Sequence, residues 1–250
     1  MAERGQYLFA VTRGLDAHDL SGTPGLRGAS LRVVEHRGLQ AVTCTVDLDE
    51  FGEEPLRRNL ESLPWLEEVA RAHDAVVQEV AAAGPTAPLR LVTICADETS
   101  ARARLEEWFE ALQTALDRIE GCHEWSVKAF APQPGTTSPA PEPATSGAEY
   151  LRRKQARVAD RRAAADESVA LAEHVHRELG ARARATRRLA PQDPRLTDFP
   201  GTMILNGAYL VADRERAAFC EAADALAAQH PAAGIDVRGP WPAYSFATLD

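Results

Sequence analysis

The residues best able to act on a partner form a basic cluster in the second half of the chain. The cluster contains Arg152, Arg153, Arg157, Arg161 and Arg162, with Lys154 among them. Basic side chains at helical spacing can follow phosphates, lie on an anionic membrane or contact an acidic protein. The segment lacks the wide apolar face of a membrane helix and the aromatic side chains of a base-stacking platform. We therefore take the five arginines as candidate protein-binding residues, with a solvated helix face as the alternative.

An acidic run, Asp47–Glu54, resembles part of a calcium-binding loop. Asp47, Asp49 and Gly52 match positions 1, 3 and 6 of an EF-hand loop. Phe51 then occupies position 5, and Arg58 stands where position 12 needs a bidentate glutamate. We expect a solvated acidic loop that leads into a helix.

Three histidines are the other candidates for chemistry. His174 and His176 lie two residues apart, about 200° around a helix, so they cannot chelate one metal ion. We expect these two to be solvated or paired with nearby glutamates. His73 interrupts an apolar stripe and is best interpreted as a core histidine with satisfied nitrogens.

No catalytic signature accompanies these residues. The sequence contains no phosphate-binding G-x-x-x-x-G-K-[ST] loop, no G-x-G-x-x-G, no H-E-x-x-H and no G-x-S-x-G elbow. The cysteines Cys44, Cys95, Cys122 and Cys220 stand singly, which favours free thiols over a zinc or redox motif. We assign no catalytic residue, no cofactor and no metal site.

Composition narrows the class of protein. The chain has 250 residues, 45% of them hydrophobic, and a formal charge of −9, which argues against a surface built to neutralise nucleic acid. No apolar run is long enough to span a bilayer or act as a signal peptide. The sequence therefore predicts a cytoplasmic globular protein with neither nucleic acid nor membrane as a partner.

A proline-rich segment, residues 132–147, divides the chain. It reads PQPGTTSPAPEPATSG and offers nothing large to bury, so it predicts a linker between an N-terminal domain, 1–131, and a C-terminal domain, 148–250. Charge is unevenly divided, because residues 1–131 carry 13 basic and 22 acidic residues whereas residues 150–188 carry 11 basic and 5 acidic. An acidic protein thus contains one strongly basic segment.

Periodicity predicts an α+β fold in both domains. In the first we expect strands at 6–12, 31–36, 39–46, 89–95 and 123–130, a hairpin turning at Arg37-Gly38, a helix up to Gly84, and another from Asp97 to Gly121. In the second we expect a long helical segment at 148–188 that Gly180 can break, strands at 203–211 and 235–238, and a helix between them. Gly207 marks a bulge or a close backbone contact. Trp241 and Tyr244 are expected to anchor the C-terminus onto the second domain.

Ordered motifs along nearly the whole chain resemble one family, the gas vesicle protein F/L family. They are Tyr7–Val11 (YLFAV), Phe51–Leu56 (FGEEPL), Leu63–His73 (LPWLEEVARAH), Pro88–Thr93 (PLRLVT), Glu124–Lys128 (EWSVK), Tyr150–Arg152 (YLR), Leu205–Val211 (LNGAYLV) and Gly239–Phe246 (GPWPAYSF). The proline-rich insert after EWSVK is more similar to the L branch. Where many members carry Arg-Phe-Gly-Thr, this chain has Arg90-Leu91-Val92-Thr93.

The resemblance implies two α+β domains, the second ferredoxin-like, and a non-catalytic role in assembling or nucleating gas vesicles. The implied partners are the gas vesicle shell protein and other accessory proteins of the vesicle. Two other functions remain open from the residues alone. An uncharacterised small-molecule enzyme would need a pocket with convergent titratable groups, and a nucleic-acid-binding regulator would need a basic surface with aromatic side chains.

Overall fold

The computed structural model describes residues 3–16, 20, 22–131, 147–192, 199 and 201–247. The strands are β1 (Arg4–Thr12), β2 (Leu31–His36), β3 (Leu39–Asp47), β4 (Thr86–Cys95), β5 (Cys122–Phe130), β6 (Ala185–Arg188), β7 (Met203–Ala212) and β8 (Gly234–Trp241). The helices are α1 (Leu48–Phe51), α2 (Glu53–Asn59), α3 (Leu63–Ala83), α4 (Glu98–Glu107), α5 (Phe109–Ile119), α6 (Gly147–Gly180) and α7 (Arg216–Gln229).

The chain forms two compact units whose boundary differs from the expected one. The first unit combines Met1–Glu124 with Pro240–Asp250, and the second unit is Trp125–Gly239. The N-terminal domain predicted from the sequence ends at residue 131 instead. Of the expected linker at 132–147, residues 132–146 lie outside the described residues.

The first unit contains an antiparallel sheet with the strand order β2-β3-β1-β4. The predicted hairpin is confirmed, because His36 pairs with Leu39 and the two turn residues, Arg37 and Gly38, have φ values of 51° and 83°. Positive φ at both positions is the turn geometry that matches the twist of two antiparallel strands. Helix α3 buries Val76 and Val80 in the sheet's core.

The helix expected between Asp97 and Gly121 is interrupted. The Asp97 side chain accepts a hydrogen bond from the Ser100 N–H at 2.7 Å and so begins α4 as predicted. Trp108, with φ −94° and ψ 4°, then separates α4 from α5. The acidic run is itself helical rather than the expected loop, because Asp47 caps α1 by accepting from the Asp49 N–H at 2.9 Å and α2 begins at Glu53.

The second unit has the order β5-α6-β6-β7-α7-β8 and the sheet order β6-β7-β5-β8. This is the strand-helix-strand-strand-helix-strand arrangement of a ferredoxin-like fold, as the resemblance implies. The sequence analysis placed 123–130 in the first domain, but β5 pairs in the second sheet. Its Trp125 and Val127 pack in that sheet's core, so the ferredoxin-like sheet is complete only with β5.

The long helix is shorter than expected. It ends at Gly180, and residues 185–188 form the strand β6 rather than a continuation of the helix. The physical reason is pairing with β7, in which Ala185 lies opposite Leu210 and Arg188 opposite Gly207. A neighbouring strand with free hydrogen-bonding groups outweighs the helical preference of this arginine-rich segment.

The C-terminal segment also differs from the expectation. Tyr244 packs against the core of the first unit, and its hydroxyl donates to Asp74 Oδ1 at 2.8 Å. The Glu124 carboxylate accepts from both the N–H and the hydroxyl of Ser245 at 2.6 Å. Trp241 is 39% exposed, so it does not serve as the expected buried anchor.

Candidate functional site

Helix α6 consists of two halves with different surroundings. Its 34 residues span about 51 Å. In the buried half, residues 171–180, Ala172, Val175 and Leu179 belong to the core of the second unit. In the exposed half, residues 148–170, no side chain is buried.

All five candidate arginines lie on the exposed half. Arg152, Arg157, Arg161 and Arg162 are exposed and form no ion pair or hydrogen bond with a described residue, whereas Arg153 pairs with Glu149. A step of four residues turns a helix by about 400°, so Arg153, Arg157 and Arg161 form one row that drifts by about 80°. Arg152 and Arg162 lie outside that row. The structure thus resolves the basic cluster into one row and two further arginines.

The row contrasts with the other helices. Elsewhere, exposed arginines four residues after a glutamate form ion pairs, as in Glu53–Arg57, Glu67–Arg71 and Glu98–Arg102. Such i,i+4 pairs stabilise a helix, and like charges at the same spacing destabilise it by about 0.2–0.5 kcal/mol each. Repulsion along the row therefore weakens this helix, although Arg153 also pairs with Glu149 four residues before it.

The buried half shows the opposite arrangement. There, Arg188 of β6 donates two hydrogen bonds to Glu173, both at 2.7 Å, and Arg182 lies 3.7 Å from Glu178. The Arg188 guanidinium holds the pKa of Glu173 below its ordinary value. The positive charge of the 150–188 segment is thus partly neutralised in the buried half, whereas in the row only Arg153 has an ion pair with a described residue.

Histidines 174 and 176 do not form a metal site. The His176 Nδ1 lies 2.8 Å from the Tyr209 hydroxyl, so the expectation that this ring is simply solvated or paired with a glutamate is wrong. His174 stacks edge-on against His230. Within the described part of the chain, no group of three or more His, Cys, Asp or Glu side chains could hold a metal ion.

A second candidate is a cavity of about 760 Å³ beside β4, in the first unit. Its wall combines apolar side chains such as Leu91 and Trp108 with His73, Cys95 and Arg90. His73 is the core histidine that the sequence predicts, 4% exposed, and burial lowers its pKa to about 4. Burial also raises the pKa of the Cys95 thiol. Activation of a thiol–imidazole pair needs the opposite changes.

The environment of His73 is only partly what the sequence predicts. The Tyr7 hydroxyl lies 2.9 Å from His73 Nδ1 and accepts a hydrogen bond from the Val92 N–H at 3.1 Å. We assign the hydroxyl proton to the bond with Nδ1, which leaves the ring proton on Nε2. That nitrogen is buried and unpaired within the described residues, although the Leu89 carbonyl nearby favours protonation. One of the two ring nitrogens is therefore not satisfied.

Val92 adopts φ 60°, which a β-branched side chain rarely does. It belongs to a bulge in which β4 inserts four residues, 89–92, opposite the single residue Phe9 of β1. This is the position where the resemblance shows glycine in many members, and glycine adopts positive φ without strain. The departure noted in the sequence is thus located at a strained point over the Tyr7–His73 pair.

Comparison with known proteins identifies the family. The model of the family described as Gas vesicle synthesis protein GvpL/GvpF matches residues 5–248. Gas vesicle protein L of Streptomyces sp. (strain CB03234) is 39% identical, over 99% of this chain and 94% of that protein. The chain belongs to the GvpL/GvpF family. The relative's name also agrees with the expected L branch.

Solved structures agree on the GvpL/GvpF fold. The gas vesicle protein GvpF from Anabaena sp. PCC7120 superposes with a TM-score of 0.70 at 16% identity, covering 99% of this chain and 97% of that one. GvpF from Microcystis aeruginosa gives a TM-score of 0.68 at 18% identity, covering 98% and 99%. At these identities the likeness concerns the fold alone.

Two features of this GvpL/GvpF chain differ in how far the sequence reveals them. The cavity beside β4 joins residues from α3, β4, α4 and the C-terminal segment, and no local pattern predicts that meeting. The exposed apolar side chains of α6 do leave a signal, the seven-residue spacing of Leu151 and Val158. No described helix is long and apolar enough to cross a membrane.

Proposed function

We propose that this chain is a non-catalytic adaptor in gas vesicle assembly or nucleation, working in the cytoplasm in association with the vesicles. It binds the gas vesicle shell protein and other gas vesicle accessory proteins, and neither nucleic acid nor a membrane. Family membership supports the vesicle role. Amphipathic shell subunits need partners that keep their edges and apolar faces from aggregating before they join a wall.

The observation that carries the proposal is the row Arg153, Arg157 and Arg161 on the exposed half of α6. An acidic protein surface reduces the repulsion within the row and supplies counter-charges for Arg157 and Arg161, which form no ion pair with a described residue. Each exposed pair contributes only about 0–1 kcal/mol, so several arginines must act together. Binding through this row is therefore expected to weaken as salt rises.

Charge reversal of the row tests the proposal. The variant Arg153→Glu, Arg157→Glu, Arg161→Glu is compared with a control, Arg57→Glu, Arg71→Glu, Arg102→Glu, which changes the net charge equally. The control breaks three internal ion pairs, so it also loses partner binding if general weakening of the helices is enough to cause that loss. Each protein is offered to separately expressed vesicle proteins in pull-downs and to cells that need it for vesicle formation.

We expect the row variant to lose partner binding and vesicle formation, with unchanged circular dichroism, and the control to keep both. Equal vesicle formation by the row variant and the wild type would contradict the proposal and favour the alternative, a helix face that contacts only solvent. Binding of the wild type to duplex DNA with a steep salt dependence would favour the nucleic-acid regulator instead.

A further inference from the structure

The exposed half of α6 carries an apolar stripe that the arginine row does not use. Its members are Leu151, Val158, Ala165 and Val169. Seven residues advance a helix by about 700°, which is 20° short of two turns, so the four side chains lie within about 40° of one another. Leu151, Val158 and Val169 are 58%, 59% and 63% exposed. Apolar side chains of this size are thus aligned on solvent along about 27 Å of helix.

The width of the stripe identifies the kind of surface that covers it. A helix that packs on a core has an apolar face of at least about 100°, and a helix lying on a membrane has a similarly broad one. A stripe of about 40° is closest to the narrow seam by which one helix pairs with one other helix, with every second seam position apolar and Gln155 and Arg162 at the positions between. The fitting occupant is therefore a single amphipathic helix.

Charges beside the stripe identify the partner's chemistry. Lys154 and Arg161 lie within about 40° of one edge and Arg162 about 20° from the other, whereas the nearest acidic residue of the exposed half, Asp166, is about 60° away. Lys154, Arg161 and Arg162 form no ion pair with any described residue. Residues beside such a seam decide which helix pairs with it, and like charges there oppose pairing. A second copy of this helix would place basic residues against basic residues, so these charges oppose pairing between two copies.

We propose that the stripe of α6 binds one amphipathic helix of a partner protein whose apolar seam is flanked by glutamate or aspartate. The inference rests on the proposed adaptor function and specifies which surface of the adaptor binds the partner. The stripe supplies the contact area and fixes the register, and Lys154, Arg161 and Arg162 select an acidic partner.

Two synthetic peptide probes of about 20 residues test the pairing. Each carries four leucines at the spacing of the α6 stripe, and they differ only in having glutamate or lysine beside that seam. Fluorescence anisotropy with the full chain is expected to give at least about tenfold tighter binding of the glutamate peptide, as three charge pairs change sign. Equal affinities for the two peptides would overturn the proposal.

Variants of the chain make the test independent of folding. Lys154→Glu, Arg161→Glu, Arg162→Glu is expected to reverse the preference, which a misfolded protein cannot do. Leu151→Gln, Val158→Gln, Val169→Gln is expected to lose the glutamate peptide at least about tenfold. Leu63→Gln, at a leucine that is 77% exposed on α3, is the matched control and keeps binding.

The same variants separate this inference from the adaptor role. If the stripe variant forms vesicles while the Arg153, Arg157, Arg161 reversal does not, the adaptor role stands and helix pairing is wrong. If the wild type is a dimer that the stripe variant dissociates, a second copy occupies the stripe and the acidic-helix proposal is wrong. If neither variant affects vesicle formation, both proposals fail.

Discussion

The two units use the same pair of side chains in different settings. In the first unit, Tyr7 on the central strand β1 meets His73 on α3, with 2.9 Å between the hydroxyl and Nδ1. In the second unit, Tyr209 on the central strand β7 meets His176 on α6 at 2.8 Å. Both sheets also share the order second-third-first-fourth when strands are numbered within each unit. A tyrosine buried on a central strand needs an acceptor for its hydroxyl, and a helix across the sheet face supplies it.

The tyrosine and the histidine of the two pairs occur in opposite order along the chain. In the first unit the tyrosine lies on the first strand and the histidine on the helix after the third strand. In the second unit the histidine lies on the helix after the first strand and the tyrosine on the third. The repeated pair therefore reflects what a helix-covered sheet requires at its centre rather than equivalent positions in two copies.

The surroundings of the tyrosine rings differ as well. The Tyr7 ring packs against Phe9, two residues along β1, at 4.8 Å between ring centroids. The Tyr209 ring lies over Gly207, where an added Cβ would stand 2.8 Å from a ring carbon. The sequence predicts a bulge or a close backbone contact at Gly207. The close contact found there is with an aromatic ring rather than with backbone.

Burial, not the hydrogen bond, separates the two histidines. Both accept from a tyrosine at nearly the same distance, yet His73 is 4% exposed while the His176 ring is half-buried. Burial lowers the pKa of His73 to about 4. It also lowers the pKa of His176, together with Arg188, but Glu173 opposes that change.

The largest expected effect is acid destabilisation of the first unit. With a folded pKa of about 4 against an ordinary 6.5, His73 binds fewer protons in the folded state. Its contribution is present above pH 6.5 and is lost as pH falls toward 4, by about 3 kcal/mol. We expect His73→Gln, which can still accept from Tyr7, to remove most of this loss. Urea titrations at several pH values, followed by NMR signals of β1 amides, measure it.

A histidine of the same sheet provides the control. His36 lies on β2 with a side chain that is 26% exposed and pairs with Glu106 at 2.6 Å. His36→Gln is expected to leave the acid-dependent loss of the first unit in place. If His73→Gln keeps the wild-type pH slope, burial of this ring is not its cause.

The next effect concerns the C-terminal segment, which joins the first unit only. Removing the Tyr244 hydroxyl by Tyr244→Phe deletes a hydrogen bond to the Asp74 carboxylate, so we expect about 1–2 kcal/mol of lost stability in the first unit. Tyr150→Phe, at a tyrosine that is 52% exposed on α6, should change stability very little. Equal melting temperatures of Tyr244→Phe and the wild type in calorimetry would contradict the prediction.

A gain of stability is expected at the strained bulge. Of the Tyr7 and Tyr209 hydroxyls, only that of Tyr7 accepts a hydrogen bond from a backbone N–H of a described residue. The donor is Val92, whose φ is 60°. Val92→Gly should raise the unfolding free energy by about 1 kcal/mol, because relief of strain exceeds the entropy cost of glycine. Val33→Gly tests the reasoning, since Val33 also packs at the edge of this core. There we expect a loss of stability, and the same sign for both variants would contradict strain at Val92.

The smallest effect separates the two pairs directly. NMR titration of the histidine ring protons should place the His176 midpoint below 6.5 but above that of His73, because the pKa of His176 is lowered less. Arg188→Gln should raise the His176 midpoint, since it removes one of the charges that lower its pKa. Coincident midpoints for the two rings would show that burial does not distinguish them.

The elements most visible in the sequence are those set by local signals. The Arg37-Gly38 turn and the stripe of α3 follow from turn chemistry and helical periodicity, and both are confirmed. The arginine cluster was visible for the same reason, as spacing on one helix.

Sheet membership could not be predicted in this way. Alternation identifies 123–130 as a strand but says nothing about its neighbours. Its partners in the sheet, β7 and β8, begin 73 residues or more after the last residue of β5. Likewise, the segment 185–188 has helical composition, and only the presence of β7 makes it a strand. The cavity beside β4 and the contact of Tyr244 with Asp74 depend on residues 170 positions apart.

The discontinuity of the first unit has a consequence for the order of events during synthesis. Its last segment, Pro240–Asp250, follows the whole second unit along the chain. At about 5–20 residues per second, translation of the intervening stretch takes roughly 6–23 s. Throughout that interval Asp74 and Glu124 lack the partners that Tyr244 and Ser245 later provide. A nascent chain therefore presents the cavity beside β4 without one of its walls, and a ribosome stalled before residue 240 would leave it so.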